Sequence, residues 1–318
     1  MLVEARNPAL HGRPWAVAAA LATLTLTGCG LGAGRAPSAV HLTVTRGFGA
    51  TIVRSFTAPQ VKGQETVMSL LLRNATVSTR YGGGFVQSID GISGGQEGGE
   101  PVDWFYYVNG VEASTGASAT NVHPGDRIWW DRHDWSQTDD VPAVVGSFPE
   151  PFLNGIEGKR LPVRVECAVL AGYACRTVTA RLRALGVPAA IAAIGSGGAP
   201  KTLRVEVAPW IAVRGDPAVQ SIERGPRASG VYARFSGDGR MLAVLDKDGR
   251  TARTLAAGAG LIAATRNGDD APVWVVSGTD VAGVDRAARA FEEGMLHDHF
   301  ALAITELGAG LSLPQVKP

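Results

Sequence analysis

The chain has 318 residues, 45% hydrophobic and 19% charged, a globular balance at a length that predicts two domains of ordinary size. Thirty basic against 29 acidic residues leave a net charge of +1, which excludes broad electrostatic capture of nucleic acid, and no nucleic-acid partner is expected. Glycine, at 41 residues without a collagen-like period, predicts many turns, and three cysteines (Cys29, Cys167, Cys175) are too few for a disulfide-dense scaffold.

The N-terminus carries Arg6 and Arg13, then an apolar run from Trp15 to Leu26. That run suits a secretory signal and is too short to span a bilayer stably. Leu26-Thr27-Gly28-Cys29 closes it and resembles a bacterial lipobox. The expectation is a signal peptide over 1–28, a diacylglycerol on Cys29, and a flexible tether over 29–40 rich in small and polar residues. Acyl chains on Cys29 would anchor the protein at the outer face of the cell membrane. Removing the first 28 residues leaves a chain with no net charge, so the lipid rather than electrostatics would be the tether. No later run of eighteen apolar residues predicts a transmembrane helix.

From His41 the texture is rich in glycine, threonine and aromatics. His41–Arg46 alternates like a strand, and Thr51–Phe56 is its expected partner. A helix opens after Gly63-Gln-Glu-Thr66, with Val67, Leu70 and Leu71 on one face. Val77–Tyr81 and Phe85–Ile89 read as short strands, and Gly91–Gly99 as a loop. Pro101–Val108 is the strongest strand, with an Asn109-Gly110 hairpin signal behind it. Arg127–Asp131 is the last strand of this part. Trp104, Tyr106 and Val108 point to one face of their strand, Phe105 and Tyr107 to the other, and Trp129 and Trp130 likewise face opposite ways. One set is expected in the core. The other is expected to be exposed or to cover something, which makes Trp104, Tyr106, Tyr107, Trp129 and Trp130 candidate ligand contacts. The polar run Asp131-Arg132-His133-Asp134 reads either as a solvated loop or as the rim of a site, with His133 meeting a metal or a polar ligand group.

Glu65-Thr66-Val67 with Leu70-Leu71-Leu72, Gly84-Phe85-Val86 with Ile89-Asp90-Gly91, Trp104 to Gly110, and Pro124 to Trp130 occur in the order of one family pattern. Residues 41–135 are similar to the transcobalamin-like C-terminal domain. That α+β module ends animal cobalamin carriers and occurs, as a family of unknown function, in bacterial surface proteins. The resemblance implies a compact sheet with one packed helix and a role in holding a bulky ligand. In the carriers a larger helical domain covers the other face of the corrinoid; no such domain is recognised in this sequence.

Pro142, Pro149 and Pro151 mark a linker, and the boundary is placed at 147/148. Strand-like stretches at 161–167, 201–208, 230–235, 241–246, 272–277 and 301–304 alternate with helices at 177–185 and after Asp280. This predicts an α/β domain over 148–309 with a mixed sheet, and a tail over 310–318. The fold class expected for the whole chain is α+β. Seven residues separate Cys167 from Cys175, which suits a disulfide between the end of a strand and the start of the next helix. His297-Asp298-His299 is a weak metal edge, and Gly195–Gly198 lacks the ending of a phosphate loop. No catalytic set stands out, so no catalytic residue, cofactor or metal is assigned.

The leading expectation is a cell-surface lipoprotein that binds a bulky small molecule, with cobalamin as the most concrete ligand and a membrane transporter as the recipient. The alternatives are an interaction protein that docks to envelope proteins or glycans, and an extracytoplasmic enzyme with its site between the domains.

Overall fold

The computed structural model describes residues 39–196 and 199–315. The expected signal peptide, Cys29 and the tether up to residue 38 lie outside the described residues, as do Gly197, Gly198 and residues 316–318.

The first part contains β1 (His41–Arg46), β2 (Thr51–Phe56), α1 (Val67–Asn74), β3 (Val77–Arg80), β4 (Phe85–Ile89), β5 (Ile92–Ser93), β6 (Gly95–Glu97), β7 (Glu100–Val108), β8 (Val111–Glu112) and β9 (Arg127–Asp134). One sheet runs β2-β1-β9-β7-β6, with β8 paired to β7, and β3-β4-β5 form a small second sheet. α1 starts where expected because Thr66 caps it, its side chain accepting from the Ser69 amide. Val67, Met68, Leu70 and Leu71 bury its apolar face against Leu42, Val44, Trp104, Tyr106, Ile128 and Trp130 of the sheet. The stretch read as a loop over 91–99 contains β5 and β6.

The second part contains β10 (Val163–Cys167), α2 (Tyr173–Ala184), β11 (Ala189–Ala193), β12 (Leu203–Pro209), α3 (Trp210–Val213), α4 (Pro217–Glu223), α5 (Pro226–Ser229), β13 (Ala233–Phe235), β14 (Leu242–Leu245), β15 (Thr251–Leu255), β16 (Gly260–Thr265), β17 (Val273–Gly278), α6 (Val281–Ala290), α7 (Glu293–Leu296), β18 (Ala301–Ile304) and β19 (Gly310–Leu313). Its main sheet runs β11-β10-β12-β17-β16-β18-β19. The first four strands are parallel and the rest antiparallel, which is the expected mixed sheet. α2 and α6 cover one face, and α3, α4 and the β13-β14-β15 sheet cover the other. Asp280 caps α6 by accepting from the Gly283 amide, and Val284, Ala287, Ala288 and Phe291 point inward as the sequence predicts. Residues 310–313 form the edge strand β19 rather than a tail. Cys167 and Cys175 are joined as expected, with Cα atoms 5.9 Å apart, stapling the end of β10 to the first turn of α2. The whole is an α+β fold. No helix among the described residues is long and apolar enough to cross a membrane.

The boundary between the two parts differs from its sequence reading. Residues 141–152 are buried throughout instead of forming an exposed linker. Val141 and Val144 pack into the core that also holds Tyr107, Trp129, Trp210 and Tyr232, while Val145, Phe148 and Phe152 enter the core around Trp274 and Phe291. The three prolines shape this strap without exposing it, because its large side chains are apolar and both sheets offer surface to cover. The face of the first sheet opposite α1 therefore packs on the second part, and the two sequence segments share one core.

Candidate functional site

Strand alternation sorts the six expected ligand residues into two groups. Trp104, Tyr106 and Trp130 face α1, where Tyr106 stacks on Trp130 at 4.9 Å and its hydroxyl donates to the Thr115 carbonyl at 2.5 Å. Tyr107, Trp129 and His133 face the second part. All six are buried, so neither aromatic set is the exposed face that surplus aromatics suggested. The second set covers something, as the alternative had it: it covers the α/β part of the same chain. The six do not converge on one surface. Trp104, Tyr106 and Trp130 border a cleft of about 240 Å³ beside α1, Trp129 borders another of about 170 Å³, and His133 a third of about 540 Å³.

The polar run at 131–134 is the end of β9, not a solvated loop. Asp131 is fully buried and compensated by hydrogen bonds. Its Oδ2 accepts from Thr45 Oγ1 at 2.5 Å and from the Gly49 amide at 2.9 Å. Its Oδ1 meets the Phe48 amide at 3.0 Å and His133 Nδ1 at 2.8 Å. Thr45 Oγ1 in turn accepts from Trp129 Nε1 at 2.7 Å, which ties the aromatic core to the carboxylate. A buried carboxylate needs such donors, since an uncompensated charge in the interior costs several kcal/mol.

The β1–β2 turn supplies two of those donors and takes an unusual backbone to do so. Gly47, Phe48 and Gly49 all have positive φ, at 70°, 60° and 81°. For phenylalanine this is a strained conformation, of order 1–3 kcal/mol, that the surroundings must hold. Gly49 cannot be replaced cheaply, because a Cβ there would lie 1.9 Å from the Asp298 carbonyl oxygen. The turn lays the Phe48 ring on His133, with centroids 4.5 Å apart, and Phe105 stacks on the opposite face at 4.4 Å. Phe300 closes on the ring edge-on at 5.4 Å. The imidazole is thus held in plane and position. The side chain is buried, with 1% of its surface exposed.

His133 opens onto the 540 Å³ cleft, which lies where the two parts meet. Arg46, Phe48 and Asp134 line it from the first part, and Lys247, Asp248 and Gln315 from the second. Lys247 Nζ spans the mouth, 2.7 Å from Asp134 Oδ2 and 2.9 Å from Asp248 Oδ1. Burial, the largest single influence, would raise the Asp134 carboxyl, but the hydrogen bonds from Lys247 and Ser136 together with the Lys247 charge hold it below its ordinary value. Arg46, Arg132 and Lys247 stand against Glu97, Asp134, Asp246 and Asp248 in its lining, so the charges are mixed with one acidic side chain in excess.

Phe105, on the strand face expected for it with Tyr107, completes this site together with Phe48, Phe300 and Thr45, which periodicity alone does not mark. The glycines flanking Phe48 between two strands were the available signal for a turn that displays its side chain. His297 and His299 do not form the metal edge considered for them. His297 Nδ1 pairs with Asp298 at 2.9 Å, and His299 Nδ1 meets Ser312 Oγ at 2.6 Å. Among the described residues no three His, Cys, Asp or Glu side chains converge as a metal set.

A second buried polar cluster lies away from the cleft. Glu166 and Glu206 are register partners on β10 and β12 and point to the same face. Arg204 Nη1 reaches Glu206 Oε1 at 2.9 Å and Asp216 Oδ2 at 2.6 Å. The Oε2 atoms of both glutamates lack a hydrogen-bond partner. Burial first, and then the charge of Asp216, push the Glu206 carboxyl up to about 8.

The sequence profile of a domain of unknown function (DUF4430) matches residues 64–134, inside the part that carries this site's β7 and β9. No curated protein matches the chain. A crystal structure of a "putative metal binding protein" from Ruminococcus gnavus is similar over 30% of this chain and 97% of that chain, with 17% identity and a TM-score of 0.24.

The raised Glu206 carboxyl makes stability depend on pH with a definite sign. The folded state holds a proton that the unfolded chain has released, so this contribution is complete below the ordinary carboxyl range and is lost as pH rises through about 8. Burial likewise pushes Glu112 up to about 8, with the same sign. Urea unfolding between about pH 5 and about pH 9 should show stability falling, by up to about 1.4 kcal/mol per pH unit for each group. Glu206→Gln should roughly halve that slope; an unchanged slope would refute the assignment.

Proposed function

We propose that this chain is a non-catalytic ligand-binding protein of the cell surface, which holds a bulky small molecule in the cleft between its two parts and passes it to an uptake system. The observation that carries this reading is the cleft itself. Its 540 Å³ falls in the range of small-molecule sites, with an aromatic and imidazole floor and a charged rim contributed by both parts. A corrinoid is the ligand class proposed first, on the resemblance of residues 41–135 to the transcobalamin-like module. The Leu26-Thr27-Gly28-Cys29 motif supports anchorage through a lipid on Cys29, with a membrane transporter as the recipient.

Titration with cobalamin, followed by tryptophan fluorescence, tests the ligand. Saturable quenching at micromolar concentration is expected, and Phe48→Ala, which removes part of the floor, should weaken binding about tenfold, or about 1.4 kcal/mol. No quenching at micromolar cobalamin removes the corrinoid from the proposal. Cys29→Ser tests the anchor: metabolic labelling with palmitate should be lost and the protein should leave the membrane fraction. Retention of the label would refute Cys29 as its site.

A second reading, docking to an envelope protein, is favoured by one further observation. Val169 and Leu170 follow β10, Ile211 follows the end of β12, Val281 follows β17 and Leu307 follows β18. These four strands point the same way, so the five side chains leave the same edge of the sheet. They are 51% (Leu170) to 89% (Leu307) exposed, far more than a buried core tolerates and aligned as a contact edge would be. A photocrosslinking residue at position 307 should yield a protein adduct in intact cells, and one at Tyr81, which is 86% exposed on the other part, should not. Equal adducts at both positions would sink this reading.

A further inference from the structure

The main sheet of the second part ends in two edge strands. β19 leads into the 540 Å³ cleft at Pro314 and Gln315, and β11 is the opposite edge, away from that cleft. Ile194 donates its amide to the Cys167 carbonyl at 3.2 Å, and a parallel ladder turns both backbone groups of every second residue to the same neighbour. Ala190 and Ala192 therefore serve β10, while Ala189, Ile191 and Ala193 turn their backbone groups outward. Ala189 is satisfied, its amide by the Val187 carbonyl and its carbonyl by Arg183 Nη2 at 3.0 Å. The Ala193 carbonyl accepts from the Ser196 amide. The amide and carbonyl of Ile191 and the amide of Ala193 have no protein partner among the described residues.

Sheet edges are ordinarily guarded against a further strand. β2 and β15 are bulged against their neighbours and carry Arg54 and Arg253, and β6 is only three residues long. β11 pairs with β10 in unbroken register and has no charge, proline or bulge. Its alanines leave the outward backbone accessible, and Ile191, 42% exposed, offers an added strand one apolar side chain to cover.

The charge beside this edge is of one sign. Between Gly158 and Glu206 the chain has eight basic residues and one acidic residue, Glu166, whose side chain is buried. Arg164, Arg181 and Arg204 are engaged in ion pairs. Arg176 and Arg183 are exposed and form no ion pair among the described residues. They lie about two turns apart on α2 and so share a side of the helix. The contact of Arg183 with Ala189 identifies that side as the one beside β11, while Arg181 reaches Glu292 at the end of α6.

We propose that β11 takes up an extended acidic segment of a partner protein as an additional strand. The backbone of the segment pairs with Ile191 and Ala193. Its carboxylates, at alternate positions and so on one face, meet Arg176 and Arg183. A second copy of this chain is the poorer occupant, because pairing β11 with itself sets these arginines against their own counterparts with no exposed acid to answer them. This edge is separate from the ligand cleft and does not depend on it.

The test uses the full chain and a fluorescent peptide of glutamate alternating with valine, read by anisotropy. Saturable binding at a ratio of one to one is expected, and a peptide with lysine for glutamate should bind about tenfold more weakly or worse. Strand addition uses only every second amide of the peptide. Two versions, each N-methylated on one alternate set of amides, should therefore differ by about tenfold or more. Equal binding of the two would show charge acting without a strand and overturn the proposal. Ile191→Pro removes an amide that β10 does not use, so it should weaken binding about tenfold with the circular dichroism unchanged; should it fail to fold, the pair of methylated peptides decides. Arg176→Glu combined with Arg183→Glu should reverse the preference toward the lysine peptide, and an unchanged preference overturns the site. Inorganic polyphosphate binding as tightly as the peptide would make this a general anion surface and overturn the strand. A dimer of the chain alone in sedimentation, split by Ile191→Pro, would give the edge to a second copy and overturn the acidic partner. So would the absence of any anisotropy change up to about 1 mM peptide.

Discussion

The buried carboxylate of Asp131 is the constraint from which the centre of this molecule is best understood. A charge with no water around it must be surrounded by donors, or it costs several kcal/mol. Thr45, the Phe48 and Gly49 amides and His133 are those donors, and they come from three places: β1, the turn after it, and β9 itself. Serving Asp131 explains why the turn runs through three residues of positive φ and why Gly49 presses against the Asp298 carbonyl. The strain of Phe48 is offset by the hydrogen bond its amide makes and by the stacking of its ring on His133. One carboxylate thereby couples the conformation of the turn, the orientation of the imidazole and the approach of the second part at Asp298.

The same alternation along β7 and β9 that sends Trp104, Tyr106 and Trp130 to α1 sends Tyr107, Trp129 and His133 the other way. An isolated module of this kind would leave large aromatics in water. Here Phe300 meets Tyr107, Trp129 and His133 edge-on at 5.5, 5.2 and 5.4 Å, and Phe48 meets Tyr232 at 5.2 Å. Burial of these rings supplies the stabilisation that joins the parts, at roughly 25 cal/mol per Å² of apolar surface removed from water. The consequence for function is positional. The surplus aromatics are structural along most of the seam, and the 540 Å³ cleft lies where the seam opens, at the ends of β1 and β9.

How much of this could be read from the sequence depends on which physical signal each segment carried. β1, α1, β7, β17 and α6 had clear periodicity or a capping residue, and they stand where the pattern put them, with Thr66 and Asp280 capping as their residue types allow. β11 is Ala189–Ala193 with four alanines, and alanine has little preference for strands, so its place at the sheet edge is set by pairing with β10. β16 begins at glycine and follows a run of small residues, which reads as a loop until β17 and β18 flank it. The strap at 141–152 reads as a linker because its prolines signal one more loudly than its valines and phenylalanines signal a core. Around His133, four polar residues in a row ordinarily mean solvent. Continuing the period of two past Asp131 puts Asp131 and His133 on the face of Trp129, and that face is buried only because a distant segment covers it. Burial by a remote partner leaves no local trace.

The two buried acidic sites show what distinguishes a structural polar cluster from one that can meet a ligand. Glu166 and Glu206 keep oxygens without partners, yet they border none of the larger clefts; Arg204 is the cation beside them, while burial and the charge of Asp216 favour the protonated Glu206. Arg204 and Asp216 of that cluster border a separate cleft of about 260 Å³. At the seam the carboxylate of Asp131 is fully served, and its partner His133 borders the 540 Å³ cleft. Its lining sets Arg46, Arg132 and Lys247 against Glu97, Asp134, Asp246 and Asp248, so most of the charge cancels. A cleft of that kind discriminates through shape more than through charge. It follows that the network behind His133, rather than the charged rim, sets what the cleft can hold.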